Sequence, residues 1–363
     1  MSSNSAPPAP PRLRFNPRHA LVHIGFFAAA FLLFAFALVM MREGAGALAE
    51  PMRRTLHLTT PSSALGLGWL LAMLALSGSP VAATSLSFLD AGLLTAPGAF
   101  AMIGGSRLGA AFIVLVIGFV HLLRGRQRTL SLGAGLLSLL VTQTTYLVVV
   151  PLGFFLLSRG WLNVRWEAAT SIVSPFELLM DPVVSLLGQV VPTGVLLPIG
   201  FVMLLPTFRL FDAALPDLHL EETGVAGLNR LLYRPLISFV LGALLTMLTM
   251  SVSVSLGLLV PLSARGYVRQ ENIVPYVMGA NITTFDDTLV AALLLGNSTA
   301  VSVVLTQMVS VAIVSLALLF LVIRPYQRLL GRLSAFLGRS STSLAVYLLI
   351  MFLLPIALIL GGL

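Results

Sequence analysis

Two absences frame the reading. The 363-residue sequence has no cysteine and no lysine, so all 21 of its basic residues are arginine. Without cysteine there are no disulfides and no thiolate metal sites. The five histidines are scattered and have no ligand spacing. Basic residues that are all arginine fit a GC-rich coding bias and point to a bacterial source. Charge is also scarce: 9% of residues are charged, against about a quarter in a soluble domain. What fills the chain instead is apolar: 58% hydrophobic residues and a mean hydropathy of +1.00. Apolar runs near bilayer length, without short alternating segments, predict an all-α polytopic membrane protein, not a β-barrel. The net charge of +8 calls for no nucleic acid, because arginines in loops and at span ends orient a membrane chain. The lipid bilayer is the first partner implied.

The Pro/Ser-rich, basic stretch 1–19 reads as a disordered tail. The apolar run 20–41 is too long for a signal-peptide core and reads as a retained first transmembrane helix. Further apolar blocks fall at 61–90, 99–122, 129–157, 193–209, 235–262, 273–296, 299–323 and 341–361. The mixed segment 161–190 reads as interfacial, and 210–234 as the longest polar loop.

Similar features recur in the same order. "PSSALGLGWLLAMLALSGS" from Pro61 parallels "PLISFVLGALLTMLTMSVS" from Pro235, with seven of twelve positions identical between Gly68–Ser79 and Gly242–Ser253. The parallel continues from 91–106 to 265–281 with one extra residue in the second copy, and from "SLLVTQ" (138–143) to "SVVLTQ" (302–307). Transporters are often built from such repeats. With the N-terminus placed inside, the arginine distribution requires 61–90 and 235–262 each to enter and leave on one side, as re-entrant helical hairpins. Three crossings separate them, so the repeats are inverted. The expected architecture has about seven full transmembrane helices, inverted repeat 1 over 61–209, a cytoplasmic loop 210–234 and inverted repeat 2 over 235–361. The expected location is a cell (inner) membrane, multi-pass, with the N-terminus cytoplasmic.

Interrupted helices in a bilayer persist where they line a polar cavity. The hairpin interruptions carry Ser77, Ser79, Ser251, Ser253 and Ser255. Their hydroxyls can hold a ligand without a buried fixed charge, or can simply pack helices and bond their own backbone. Gln143 and Gln307, in matched Thr-Gln pairs, are candidate donors to such a cavity or interhelical packing bonds.

The second hairpin, followed by "VMGANITT" and "GNSTAVSVVLTQ", resembles the type II sodium/phosphate cotransporter family over about 61–157 and 235–323. That family carries a Q-S-S-S motif at each hairpin break and a G-A-N-I-G-T-T-type segment opening the next span. The resemblance implies ion-coupled transport of a small anion, with the hairpin serines, Asn281, Thr283 and Thr284 around the site. It departs in that Leu76 and Met250 stand where the glutamines should be, the first G-A-N-I is "GGSR", and "FDD" follows the second.

Asp286 and Asp287 sit in an apolar run, where an ionised carboxylate costs at least ~2.5–3.5 kcal/mol. Adjacent like charges raise that cost. The pair could bind a cation, share a proton as a coupling site, or pair with Arg107 of the first repeat. No paired-histidine, Walker-type or G-x-S-x-G motif supports an enzyme. Two functions stand: a secondary transporter of a phosphate-like anion coupled to Na⁺ or H⁺, or a non-transporting scaffold or assembly subunit on the same fold. No cofactor is expected beyond a Na⁺ site, and a homo-oligomer or a membrane partner subunit is compatible with either function.

Overall fold

The computed structural model describes residues 17–55, 60–123, 128–163, 180, 182–214, 234–252, 255–256, 259 and 270–361. Among the described residues every regular element is helical. They are α1 Pro17–Thr55, α2 Pro61–Ala75, α3 Ser79–Asp90, α4 Ala96–Ala110, α5 Phe112–Leu123, α6 Arg128–Arg159 and α7 Leu196–Ala214. Then come α8 Pro235–Thr249, α9 Gln270–Thr283, α10 Asp286–Leu294, α11 Ser298–Leu321, α12 Ile323–Arg339 and α13 Ser341–Leu360. Among the described residues, six segments are long and apolar enough to cross a membrane, the character of a multi-pass membrane protein.

Several expected boundaries move. The first helix does not span 20–41 but runs over Pro17–Thr55, through Arg42 and Glu43. Arg42 is accommodated because its Nε pairs with Asp90 Oδ2 at 3.1 Å. Helix α7 extends to Ala214, into the expected loop 210–234, whose residues 215–233 lie outside the described residues. Residues 1–16 of the tail and most of 161–190 also lie outside them. The arginine cluster after α11 is not a simple loop. Arg324, Arg328 and Arg332 lie exposed along α12, which buries Leu330 and Ser334. Tyr326 on that helix hydrogen-bonds Thr144 of α6 at 2.7 Å.

The block 273–296 is not one helix. It breaks at Thr284–Phe285 into α9 and α10. Asp286 and Asp287 then occupy the first turn of α10, where the helix dipole favours negative charge. Among the described residues, six segments of spanning length stand where about seven full transmembrane helices were expected.

Residues 76–78 separate α2 from α3. Thr60 and Pro61 start α2 as N-cap and N1, and Leu76 ends it in the left-handed region at φ 51°. The Leu76 and Ser77 amides bond back to Met73 and Ala72 carbonyls, a Schellman stop. Helix α8 ends the same way at Met250, φ 50°. These are the two non-glycine residues of positive φ among those described. A 15-residue helix is about 22 Å long, short of a hydrocarbon core of about 30 Å. Most of the return arm of the second hairpin lies outside the described residues.

A left-handed L-residue costs roughly 1–2 kcal/mol where glycine costs none. Leu76→Gly and Met250→Gly are each expected to stabilise the folded protein by about 1 kcal/mol, read as a raised unfolding midpoint in detergent. A lowered midpoint for either would contradict the backbone strain.

Glycines set how closely the helices pack. A Cβ added at Gly68 would lie 2.1 Å from the Met102 carbonyl oxygen, and one at Gly105 would lie 2.1 Å from that of Leu65. These contacts join α2 to α4. The same pair joins α8 to α9: Gly242 against Tyr276 O at 2.0 Å and Gly279 against Phe239 O at 2.0 Å. Each residue of the second set lies 174 positions after its counterpart, so the expected extra residue in the second copy is absent over this stretch. Gly279 corresponds to Gly105, not Gly104. Arg107 corresponds to Asn281. The letters "GGS" and "GAN" align one residue out of step with the packing.

Candidate functional site

Residues at the ends of α2 and α8 line one cavity of about 380 Å³. Leu76, Ser77, Gly78 and Ser79 line it from the first end, and Met250, Ser251 and Val252 from the second. Arg107, Thr142, Arg209, Asn281 and Thr284 complete its polar wall. Two guanidiniums and no carboxylate appear among its described lining residues. The first turn of α3 begins at this wall, so its backbone amides and positive dipole end favour an anion. Gly78 is required by closeness: a Cβ there would meet Ala110 Cβ at 2.9 Å and Ser106 O at 3.0 Å.

Arg107 holds the site together. It lies in the last turn of α4, where a helix dipole favours a cation, and is only 5% exposed. Its Nη1 donates to Thr284 Oγ1 at 3.0 Å and its Nη2 to Thr288 Oγ1 at 2.8 Å. The guanidinium carbon stands 4.6 Å from the centroid of the Phe285 ring, a cation–π contact that gains strength when desolvated. One side chain thus bridges the break between α9 and α10. Asp287 Oδ1 is 3.7 Å from Arg107 Nη2 and accepts the Thr288 hydroxyl at 2.9 Å. The expected pairing therefore exists for Asp287, as a long contact. Asp286 sits beside it with Oδ2 buried and without a hydrogen-bond partner, as are Asp287 Oδ2 and Arg107 Nε.

The other sequence candidates separate. Ser77, Ser79, Ser251, Asn281 and Thr284 line the cavity. Ser253 lies outside the described residues. Ser255 is not at the wall. It is buried away, accepting from Thr246 at 2.8 Å and bonding Tyr276 OH at 2.9 Å. Thr283 also turns away, donating to the Ala243 carbonyl at 2.8 Å. That contact takes the place of the Gly109–Trp69 carbonyl approach in the first copy. Gln143 is not at the wall either, because its amide oxygen accepts from Tyr347 OH at 2.5 Å. Gln307 is fully buried, has no hydrogen-bond partner and packs at Gly104.

Sequence reasoning missed Thr142, Arg209 and Thr288. Thr142 directly precedes Gln143 in the Thr-Gln pair, and it is the threonine that faces the cavity and accepts from Asn281 Nδ2 at 3.2 Å. Successive helical residues point about 100° apart, so the motif was legible and the side chain was not. Arg209 read as a span-end arginine, and nothing in its sequence context separates it from the others.

No family model, curated protein or solved structure matches the chain.

Proposed function

We propose that the protein is a secondary transporter of a small, phosphate-like anion, coupled to an ion gradient. The observation that carries this reading is the cavity at the ends of α2 and α8, which offers two arginines, three serines, Asn281, Thr142 and Thr284 and no described carboxylate. Its volume of about 380 Å³ falls at the small end of ligand cavities, roughly 300–1,000 Å³. The matched left-handed stops at Leu76 and Met250, and the matched glycine crossings 174 residues apart, support a duplicated architecture. In our reading the two units are inverted, the short hairpins are re-entrant, and α9 with α10 makes the seventh crossing. The N-terminus is cytoplasmic and the membrane a bacterial inner one. The resemblance to type II sodium/phosphate cotransporters, drawn from "GANITT" and the hairpin serines, agrees with this architecture.

The second reading is a non-transporting scaffold. One observation favours it: Arg107 donates from both terminal nitrogens, to Thr284 and Thr288, and so fastens α4 to the α9–α10 break. Uptake of radiolabelled phosphate and sulfate into proteoliposomes, under an imposed proton or Na⁺ gradient, separates the two. Transport predicts gradient-dependent accumulation that Arg107→Gln abolishes. No uptake across a panel of anions under either gradient leaves the scaffold.

A further inference from the structure

We infer that Asp286 and Asp287 are a proton site coupled to anion binding through Arg107, so that the anion enters together with a proton and not with a metal cation. The inference rests on the anion-transport reading above and names its coupling ion.

It starts from a charge count. One buried guanidinium faces two adjacent carboxylates at the head of α10. With both carboxylates ionised the cluster carries a net negative charge in a region of low dielectric, a costly state unless something neutralises it. Helix α1, which also packs on α10, carries His23, Arg42, Glu43 and Glu50 among its described side chains, and Arg42 is paired with Asp90. Helix α11 contains no titratable side chain. Helix α3 contributes only Asp90, which is held by Arg42 at 3.1 Å and by Asn297 Nδ2 at 2.8 Å. From α6 comes the buried Tyr146 hydroxyl, which has no hydrogen-bond partner. Two carboxylate oxygens, one on each aspartate, are buried and unpartnered.

A proton fits this cluster better than a metal ion. A hard cation needs several oxygen lone pairs around it. Here Thr284 and Thr288 each already use one lone pair to accept from Arg107, and Thr288 donates to Asp287. The guanidinium nitrogen 3.7 Å from Asp287 Oδ1 repels a second cation. A proton bound to a carboxylate oxygen makes one neutral acid and needs no such shell.

Arg107 supplies the coupling because it faces both ways. It reaches Asp287, whose neighbour is Asp286, on one side and lines the anion cavity on the other, and its Nε has no partner. An anion drawn to the guanidinium adds negative charge to a cluster already in excess. Proton uptake by the aspartates removes that excess. Binding of either therefore strengthens binding of the other by the same factor. The proton comes from the aqueous phase that delivers the anion and leaves with it.

The test uses the full-length protein in detergent or nanodiscs, with sulfate as the probe because it does not titrate near neutral pH. Calorimetry in two buffers of different ionisation enthalpy gives the protons taken up per sulfate bound. The expected result is close to one proton in the wild type, without Na⁺. In Asp286→Asn/Asp287→Asn, sulfate should bind with no linked proton and with affinity independent of pH between 5 and 8. If that variant does not fold, infrared difference spectra of the wild type should show a carboxylic-acid carbonyl band appearing on sulfate addition. Sulfate binding with no proton uptake, or only with Na⁺ present, overturns the proton assignment and leaves the anion site standing. Absence of sulfate binding under every condition overturns the anion reading itself.

Discussion

Replacing Arg107 by glutamine is expected to abolish anion binding and to destabilise the protein by about 3–5 kcal/mol, the cost of leaving one partner of a buried ion pair alone. Asp287 is 3% exposed and Oδ2 already lacks a partner, so removing the guanidinium leaves its charge uncompensated. Thr284 and Thr288 lose their donor as well. The double variant Arg107→Gln/Asp287→Asn should recover most of the stability, since both charges are removed together. It should not recover anion binding, because the cavity has still lost its buried cation. Unfolding midpoints in detergent and sulfate calorimetry on the same samples read the two effects separately. If Arg107→Gln binds sulfate as the wild type does, Arg107 is only a fastener.

Gly105→Ala is expected to be severely destabilising and Gly104→Ala close to harmless. A methyl group on Gly105 would sit 2.1 Å from the Leu65 carbonyl oxygen and 2.9 Å from the Trp69 amide nitrogen. These are backbone atoms of a packed helix, and α2 and α4 would have to separate. Overpacking that side chains can absorb costs about 1–3 kcal/mol; here the cost should exceed that range and show as loss of folded, monodisperse protein. On Gly104 the nearest atom would be Gln307 Nε2 at 3.5 Å, an ordinary contact. Alanine there also reduces the freedom of the unfolded chain, worth about 0.4–1 kcal/mol. Gly279→Ala should match Gly105→Ala, because the Phe239 carbonyl is as close. If Gly104→Ala were the damaging change, the one-residue offset suggested by the letters would be right and the packing register wrong.

The same register explains how the site was only half legible. "GGSR" and "GANI" are similar strings, and similarity pairs Gly104 with Gly279. Packing pairs Gly105 with Gly279, because what recurs is a carbonyl pressed against a missing Cβ. Once corrected, the arginine falls on the position of Asn281. A fixed cation in one copy thus stands where the other has a neutral amide, and both line the same cavity. Pairing with Arg107 was one of three outcomes the sequence left open for the two aspartates, beside a cation site and a shared proton, and the contact at 3.7 Å exists for Asp287.

By itself, the sequence determined the helical membrane character, the recurring order of features, and the residue types where α2 and α8 stop. Those follow from composition, from run length and from punctuation by proline, glycine and serine, all local quantities. Only the tertiary structure decided which face of each helix meets the cavity. It turned Thr142 inward and Gln143 toward Tyr347, spent Ser255 and Thr283 on neighbouring helices, and brought Arg209 to the wall. It also broke 273–296 at Thr284–Phe285 and carried α1 past Arg42. The physical reason is rotation: one residue turns a helix by about 100°, and that angle is fixed by contacts with other helices that no local pattern records.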